Sequence, residues 1–427
     1  MPSGCCRNHF QLPILRSDEP DIQEHNHSRV FHLRQCSIKR IALFGGGRWA
    51  TTLMSVLRTE LPQEVEIIWV TRHHQQTART WLEKHHAENI VLEPDIPISR
   101  NILDGVIIAT SPLRHYELLS QALSNHVPAL CEKPLCTSAT EFNELRRALN
   151  PVIAAQIPER RDSEQGHGCR ERIVGVHLEF LFAAFLRQFS GLINHSSIDS
   201  VDVFWQDPWS EQRAGVTKCS EMYVDIMRDQ LPHCWSVLKS VIPETGSLQI
   251  QSLTPEQHGW LLELRDAKTT IRFHLSRRTH QRVRRMVINQ GQFLLDFSSE
   301  PGFAILNEQR LAMAEIRRRP LNSSLASFAE VITDTGNAEG WPLAIHQVWP
   351  AIELSQHAAE QLVAAQKQEA VRLSLLDRID LNHPDHVALT VDMLFPRIAA
   401  VEHCEPLISV RQQQEFASKH WEKLRDF

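Results

Sequence analysis

Between residues 37 and 150, continuous apolar runs alternate with segments in which apolar residues recur at helical spacing. Runs in which nearly every residue is apolar predict buried strands at 37–44, 65–72, 104–111 and 127–135. Between these runs apolar residues recur at helical spacing, which predicts helices at 48–60, 73–85 and 115–125. Because strands that alternate with helices connect by right-handed parallel crossovers, this order predicts a doubly wound parallel sheet.

The pattern changes after about residue 150. Residues 150–171 are polar and punctuated by proline, which predicts a loop. Short strands of alternating character follow at hairpin spacing, at 172–180, 198–206, 247–253, 259–266, 268–278, 281–289 and 291–298. Helical periodicity marks 221–242, the neighbourhood of 322–334, and 343–370. This second region therefore predicts a mostly antiparallel sheet with a few helices.

The first predicted strand breaks into three glycines in "FGGGRWA", residues 44–50. Bare backbone lets the main chain turn tightly and leaves N–H groups open to an anion at the start of the next helix. Gly45, Gly47 and Ala50 fit the dinucleotide fingerprint, whose third position accepts alanine. Since the turn ends a predicted strand and opens a predicted helix, we expect a dinucleotide site here, with Arg48 and Trp49 beside it.

These patterns together predict an α/β protein in four segments. A polar N-terminal extension covers 1–36, and a Rossmann dinucleotide-binding domain covers 37–150. An α/β domain with an open, mostly antiparallel sheet covers 151–374, and a helical C-terminal extension covers 375–427. A length of 427 residues leaves room for more than one core.

Composition narrows the class of protein. A hydrophobic content of 42% and a charged content of 22% are ordinary for a globular protein. A formal net charge of −6 argues against nucleic-acid binding, and no apolar stretch approaches the roughly 18 residues of a membrane helix. The start of the chain does not look like a secretory signal, and nine scattered cysteines suggest reduced thiols. We expect a cytoplasmic protein without a nucleic-acid or membrane partner.

The N-terminal extension offers a metal site as an alternative to a polar tail. Its candidate ligands are Cys5, Cys6, His9, His25, His27 and His32. Their spacing matches no zinc module, and adjacent cysteines are poor partners on one ion. We expect no metal.

The stretch "IATSPLRHYELLSQALSNHVPALCEKPL", residues 108–135, resembles the Gfo/Idh/MocA oxidoreductase family. Members of that family carry an "AT-P---H" turn and an "EKP" motif about twenty residues later. The turn corresponds here to Ala109, Thr110, Pro112 and His115, and the motif to Glu132, Lys133 and Pro134. A second signal is an Asp-x-x-x-His pair, Asp229 and His233, in the predicted helix 221–242. The resemblance spans roughly 37–370 and implies the two-domain order already predicted.

The resemblance implies a catalytic group formed by Lys133, Asp229 and His233. A hydride transfer between an alcohol and a carbonyl needs a group that removes or supplies the hydroxyl proton. Lys133 ends a parallel strand near the expected nicotinamide, and we expect partial burial to lower its pKa toward neutrality. His233 is the second acid/base and Asp229 binds a hydroxyl or orients its neighbours; which of Lys133 and His233 carries the proton stays open.

Further residues are expected around the cofactor, namely Thr110, Pro112, His115 and Glu132; for His115 a structural cap is an equal alternative. NAD-binding domains usually end the second strand with an acid that binds the ribose 2′-hydroxyl. This chain places Thr71 and Arg72 there, a pair suited to a 2′-phosphate. The sequence therefore favours NADP over NAD.

Several positions depart from the family pattern. Tyr223-Val224-Asp225 replaces a glycine pair before the Asp/His helix, and His177-Leu178-Glu179-Phe180 replaces a strand end of the "Rf-P" type. Because these are expected substrate neighbourhoods, they leave the substrate open. We expect an oxidoreductase for a small polar alcohol/carbonyl pair, such as a sugar or cyclitol derivative. The alternatives are a reductase of an imine or other biosynthetic intermediate, and a cofactor-binding sensor without turnover.

Two surface features carry open alternatives. Five arginines lie near one predicted hairpin: Arg277, Arg278, Arg282, Arg284 and Arg285. They form either a solvated edge or subunit contact, or a surface that binds an anionic ligand. The open sheet leaves one set of alternating side chains in need of cover, either Val201, Val203, Leu262, Leu264, Ile271 and Phe273 or their neighbours. We expect a homodimer through that face; a C-terminal extension folded over it is the competing arrangement.

Overall fold

The structure is a computed structural model in which most of the chain after residue 38 is described. The described residues are 39–62, 65–87, 89–155, 173–213, 216–314, 318–333, 340–402 and 404–426. The predicted N-terminal extension with its cysteines and histidines lies outside them, as do residues 156–172 of the predicted loop.

The first domain is built on a parallel six-stranded sheet. Its strands are β1 (Lys39–Phe44), β2 (Val65–Val70), β3 (Ile90–Glu93), β4 (Gly105–Ile108), β5 (Ala129–Cys131) and β6 (Val174–Val176). Their order is β3-β2-β1-β4-β5-β6, so the order in which strands are added to the sheet reverses between β1 and β4. The helices are α1 (Arg48–Glu60), α2 (Gln75–His85), α3 (His115–Ser124) and α4 (Ala139–Ala155). This is the predicted Rossmann arrangement, in which ligands bind at the carboxyl ends of β1 and β4.

Three local features of this domain differ from the prediction. The short edge strand β3 was not predicted, because four residues carry too little periodicity. Residues 150–155, predicted as loop, complete α4, whose preceding turns bury Phe142, Leu145 and Leu149 at helical spacing. The strand predicted at 172–180 pairs in parallel with β5, so the parallel sheet continues beyond residue 150.

The second sheet has eight strands in the order β10-β11-β12-β7-β13-β14-β15-β16. They are β7 (Ser200–Pro208), β10 (Gln249–Glu256), β11 (Gly259–Asp266), β12 (Thr269–Thr279), β13 (Val283–Ile288), β14 (Phe293–Asp296), β15 (Phe303–Leu306) and β16 (Gln309–Ala312). Only β7 and β12 pair in parallel within this sheet. A separate hairpin pairs β8 (Ser210–Arg213) with β9 (Val216–Cys219). The predicted mostly antiparallel sheet is confirmed.

One face of this sheet is buried beneath α6 (Ile226–Val241). Along β7, Val201, Val203 and Trp205 are buried and alternate with half-buried neighbours. Register places Ile271 and Phe273 of β12 beside Val201 and Val203, on the same buried face. The alternating neighbours therefore form the open face.

The remaining helices are α5 (Ala184–Ser190), α7 (Pro320–Thr333), α8 (Ile345–Arg372), α9 (Pro384–Val401) and α10 (Val410–His420). The last two confirm the predicted helical C-terminal extension. α9 packs against both α8 and α10. Within the described residues, no helix combines the length and apolar character needed to cross a membrane.

Candidate active site

The glycine turn between β1 and α1 contains two kinds of glycine. A Cβ on Gly45, whose φ is +140°, would lie 2.2 Å from the Ala109 carbonyl oxygen. A Cβ on Gly46 would lie 2.0 Å from Thr71 Oγ1. A Cβ on Gly47 would meet no atom within 4 Å. Gly45 and Gly46 are therefore needed for close packing of the turn against neighbouring segments, whereas Gly47 borders open space. Gly46 was not predicted as a packing position, because the dinucleotide fingerprint does not include it.

The start of α1 has the properties of an anion site. Its N-cap, Gly47, offers no side chain to the helix N–H groups, and the first turn carries no acid. Arg48 begins the helix, and Ala50 is fully buried beneath the turn. Unpartnered N–H groups and the positive end of a helix favour a phosphate. The residues present therefore fit the diphosphate of a dinucleotide.

An acid from the neighbouring strand lies beside the end of β2, a relationship that the sequence did not reveal. Arg72 forms an ion pair with Asp95, and both side chains are more than half exposed. Asp95 follows β3, the unpredicted strand beside β2. Thr71 is buried, and its backbone N–H donates to the Glu93 carbonyl oxygen at 3.0 Å. Thr71 and Arg72 directly follow β2, at the predicted strand end, and the acid beside Arg72 comes from the neighbouring strand end.

Lys133, immediately after β5, reaches across to α6. Its Nζ donates to Asp229 Oδ1 at 2.6 Å and to the Asp229 carbonyl oxygen at 2.9 Å. Arg277 Nη2 lies 3.2 Å from the other Asp229 carboxylate oxygen. All three side chains are largely buried, at 15%, 13% and 4% exposed. The Asp229 carboxylate thus lies between two cations.

The charge of Asp229 decides the protonation of Lys133. Burial by itself lowers the pKa of Lys133, but the charge of Asp229 and its hydrogen bond, with Glu132 and Glu221, raise that pKa above its ordinary value. Burial raises the pKa of Asp229, yet Lys133 and Arg277 hold it well below the usual range. The predicted lowering of the Lys133 pKa is therefore wrong: Lys133 is an ammonium at neutral pH.

His233 lies one helical turn beyond Asp229 and is neutral. Its ring stacks on Trp205 at 5.1 Å between centroids, with Phe180 at its edge. Burial, and then the charge of Lys133, hold its pKa well below the ordinary value. Its Nδ1 is buried and has no hydrogen-bond partner among the described residues. Asp229 and His233, the predicted pair, thus lie in the same cluster as Lys133. The Nδ1 atom of His233 remains available for a further hydrogen bond.

A buried chain of hydrogen bonds joins the glycine turn to the Lys133 strand end. Trp49 Nε1 donates to Glu132 Oε1 at 2.5 Å, and His177 Nδ1 lies 2.5 Å from the same oxygen. His177 Nε2 lies 2.7 Å from Ser324 Oγ, whose own proton goes to the Leu321 carbonyl oxygen at 2.8 Å. Because Ser324 and the carboxylate both accept, His177 donates from both ring nitrogens and is a cation.

The pKa shifts of this pair agree with that assignment. Burial lowers the pKa of His177, but the Glu132 charge and hydrogen bond raise it above the ordinary value. Burial raises the pKa of Glu132, but His177, Trp49 and Lys133 together bring it below the ordinary value. Sequence reasoning placed Glu132 and Trp49 near the cofactor but missed His177 and Ser324 as their partners, since nothing local relates residues so far apart.

His115 holds two segments of the motif together. It is 1% exposed, with Nδ1 2.8 Å from the Pro134 carbonyl oxygen and Nε2 3.1 Å from that of Thr110. Burial lowers its pKa. Of the two expected roles, the structural one fits; the buried ring leaves no surface for a cofactor. Thr110 and Pro112 remain partly exposed in the turn itself.

The five arginines near the β12–β13 hairpin all have carboxylate partners inside the chain. The pairs are Arg277–Asp229, Arg278–Asp392, Arg282–Glu300, Arg284–Asp207 and Arg285–Asp296. Arg284 also lies 3.9 Å above the ring of Trp205, which stands in β7. Neither expected alternative describes the set, because Arg277 and Arg284 are buried.

A polar cavity of about 910 Å³ opens beside β13 and the start of α7. Its charged lining consists of Glu211, Arg282, Arg285, Asp296, Glu300 and Arg319. Carboxylates and guanidinium groups are equal in number there, so the lining has no net charge. Among the described residues, no three His, Cys, Asp or Glu side chains are placed to hold a metal ion.

Comparison with known proteins agrees with the fold of the first domain. Residues 39–151 match the sequence model of GFO_IDH_MocA, an oxidoreductase family with an NAD-binding Rossmann fold. No curated protein matches the chain.

Solved structures share the fold at low identity. A 3-ketoreductase from Actinomadura kijaniata, solved with TDP-benzene and NADP, is 13% identical with a TM-score of 0.56, covering 77% of this chain and 98% of its own. A myo-inositol dehydrogenase from Corynebacterium glutamicum is 16% identical with a TM-score of 0.51, covering 75% and 95%. A Gfo/Idh/MocA family oxidoreductase from Vibrio cholerae is 15% identical with a TM-score of 0.54, covering 76% and 98%. The resemblance expected from the motifs is confirmed for the first domain: residues 39–151 match the model of the Gfo/Idh/MocA oxidoreductase family, and the solved structures of similar fold include a member of that family.

Proposed function

We propose that this protein reduces a small polar carbonyl compound with NADPH, and that Lys133 supplies the proton. The observation that carries the proposal is the buried Lys133 ammonium at the carboxyl end of β5, 2.6 Å from the Asp229 carboxylate. When bound, a reduced nicotinamide supplies the hydride that such a carbonyl carbon accepts. The oxygen then needs a proton from a positioned donor, and an ammonium in a site that excludes water meets that need.

The roles of the other two residues follow from charge and position. Asp229 keeps Lys133 protonated and in place, because its carboxylate accepts hydrogen bonds from both Lys133 and Arg277 and lies between these two cations. His233 is neutral, and its unpartnered Nδ1 is suited to a hydrogen bond with a substrate hydroxyl. Lys133 is therefore the proton donor, and His233 positions or assists.

The cofactor would lie along the carboxyl ends of β1 and β4. The open space at Gly47 and the start of α1, with Arg48, suit the diphosphate. Thr71 and Arg72 suit an adenosine 2′-phosphate, which favours NADP, while Asp95 beside Arg72 leaves NAD as the alternative. Trp49, Thr110, Pro112 and Glu132 would border the nicotinamide side.

The substrate class we favour is a sugar or cyclitol derivative. Similar folds include those of a myo-inositol dehydrogenase from Corynebacterium glutamicum and a 3-ketoreductase from Actinomadura kijaniata. Reduction of an imine is the alternative, because an ammonium can protonate a developing amine as well as an alkoxide. A sensor without turnover is less compatible with the Lys133–Asp229–His233 cluster, whose buried charges serve no evident packing purpose.

A two-step assay tests the proposal. Quenching or enhancement of NADPH fluorescence measures binding, and loss of its absorbance with a panel of keto sugars, inososes and cyclic imines measures turnover. We expect NADPH to bind and at least one keto compound to be reduced. Turnover with imines alone would select the alternative substrate, and binding without turnover across the panel would support the sensor.

A further inference from the structure

The C-terminal extension, residues 375–426, is anchored beside the catalytic cluster. Asp392 of α9 accepts two hydrogen bonds from Arg278, each 2.8 Å long, and Arg278 also donates to the Ala388 carbonyl oxygen at 2.9 Å. Arg278 is the immediate neighbour of Arg277 on β12, and Arg277 binds Asp229. The end of β12 therefore has α9 on one side and the Asp229 carboxylate on the other.

The extension also contacts the loop of residues 220–225, which joins β9 to α6. Tyr223 Oη donates to the Cys404 carbonyl oxygen at 2.9 Å, and its ring meets Phe395 of α9 edge to face. The backbone N–H of Leu407 contacts Met222 Sδ at 3.2 Å. Three contacts from separate parts of the extension thus converge on two adjacent loop residues.

The same loop shapes the cluster around Asp229. Arg277 Nη1 donates to the Val224 carbonyl oxygen at 2.9 Å. Asp225 caps α6 by accepting from the Arg228 backbone N–H at 3.0 Å. The Glu221 carboxylate folds back on the N–H groups of Met222 and Tyr223, and it interacts electrostatically with Asp229 and Lys133. Displacing this loop would move Arg277 and the first turn of α6, which carries Asp229.

We propose that the C-terminal extension is a positioning element of the catalytic centre: it holds the 220–225 loop, and through it keeps Asp229 on Lys133. Tyr223 and Asp392 are the positioning residues. They touch neither Lys133 nor Asp229, so they act through Arg277, Arg278 and the start of α6. The consequence for catalysis rests on the proposed function, whereas the coupling itself is a property of the fold.

Two conservative variants test the coupling. Tyr223→Phe removes one hydroxyl and leaves the ring on Phe395, and Asp392→Asn removes the charge that binds Arg278. Arg411→Gln on α10 is the matched control, since within the described part of the chain Arg411 pairs only with Glu415 and is 87% exposed. Asp229→Asn is the reference variant, because it breaks the Lys133 pair directly.

The first readout needs no substrate. The rate at which an amine-selective reagent labels Lys133, followed by mass spectrometry against pH, reports the free-amine fraction of that residue. The groups around Lys133 are Asp229 and His233 on α6, Glu132 beside it, Glu221 in the loop, His115 on α3, and Arg277 on β12, which shares the Asp229 carboxylate. Weakening the Asp229 contact lowers the Lys133 pKa, so we expect labelling about threefold faster in both loop variants, for a shift of about half a pKa unit.

The second readout is kinetic. We expect kcat to fall about fivefold in Tyr223→Phe and Asp392→Asn while KM for NADPH is unchanged, because the affected interaction acts in the chemical step. The positioning role would be overturned if Tyr223→Phe and Asp392→Asn both fold and label Lys133 with the pH dependence of wild type, while Asp229→Asn shifts that dependence. If Asp392→Asn fails to fold, Tyr223→Phe alone decides. If both variants show the labelling shifts but the wild-type protein reduces no substrate, the proposed function is contradicted and the positioning role stands.

Discussion

Lys133 and Asp229 lie 96 residues apart in the sequence and 2.6 Å apart in the structure. The ion pair is nearly buried, and Arg277 shares its carboxylate. Removing one partner of such a pair leaves the other charge buried and unbalanced. The pair therefore couples the charge state of the proposed proton donor to the position of α6.

The first prediction concerns Lys133 itself. Lys133→Met removes the proton donor, so we expect turnover to fall at least about a hundredfold, the usual scale for a general acid, while NADPH binding persists. Lys133→Arg is the matched variant: it keeps the charge beside Asp229, but a guanidinium does not give up its proton. Steady-state kinetics and NADPH titration check both variants. Near-normal turnover in either would transfer the acid role to His233.

The second prediction is a pH dependence with a defined sign. Lys133 has a raised pKa, so its contribution to stability is present below its unfolded pKa and is lost as pH rises through the folded pKa. Asp229 has a lowered pKa, so its contribution is present above its unfolded pKa and is lost as pH falls through the folded one. Between those limits, from weakly acidic to alkaline pH, the pair is fully charged.

Asp229→Asn should therefore move the alkaline limit of activity to lower pH. Without the carboxylate, burial and Arg277 both favour the neutral amine of Lys133. A pH–kcat profile of wild type and variant measures the shift, and Asp199→Asn, outside the cluster, serves as control. Superimposable alkaline limbs would show that Lys133 is not the titrating acid.

The third prediction separates NADP from NAD. Arg72→Ala should weaken NADPH binding about tenfold, since a charge-assisted contact to phosphate contributes roughly 1.5–3 kcal/mol, and should leave NADH binding nearly unchanged. Asp95→Asn releases Arg72 from its ion pair and removes a charge that repels phosphate, so NADPH binding should tighten. Fluorescence titration with both cofactors compares the variants. Equal effects on NADPH and NADH would exclude Arg72 from the 2′-phosphate site.

The fourth prediction uses the two kinds of glycine. Gly46→Ala places a Cβ 2.0 Å from Thr71 Oγ1 and 2.7 Å from His74 Cβ, so it should lower the melting temperature even without cofactor. Gly47→Ala meets no atom of the described residues within 4 Å at an ordinary φ of −76°, so stability should stay near wild type. NADPH binding should nonetheless weaken, because the methyl group occupies the space left for the diphosphate. Unchanged binding in Gly47→Ala would place the cofactor elsewhere.

The fifth prediction is that two copies pair through the open face of the eight-stranded sheet. That face presents half-buried apolar side chains such as Phe204, Leu261 and Val287. Charged residues such as Asp202 and Arg272 lie among them. An open sheet face that carries apolar side chains is commonly covered by a symmetric copy. The C-terminal extension makes its described contacts instead with α8, β12 and the 220–225 loop. We therefore expect a homodimer in solution.

Light scattering on wild type and on Val287→Glu tests this arrangement. The charge should dissociate the dimer without unfolding it, whereas Leu192→Glu, an exposed position at the end of α5, should leave the mass unchanged. A monomeric wild type, or a dimer indifferent to Val287→Glu, would contradict pairing through this face.

The residues that hold the candidate site were only partly visible in the sequence. The glycine turn, Lys133, Asp229 and His233 carry local signals, because each stands at a fixed offset from a strand end or on one helix face. His177, Ser324 and Glu221 carry none. They act through partners on other elements, and only a strand end of unusual composition, His177-Leu178-Glu179-Phe180, hinted at the first of them.

By itself, the sequence determined the alternation of strands and helices in the first domain, the mostly antiparallel character of the second sheet and the position of the glycine turn. The spacing of apolar residues shows which face of a strand or helix is buried. It does not depend on which element packs against that face. Tertiary structure alone decided the charge of Lys133, the acid beside Arg72 and the partners of the arginines around Arg277. Those properties depend on distances between charges that are remote in sequence, and Coulomb interactions in a buried site change steeply over a few ångströms.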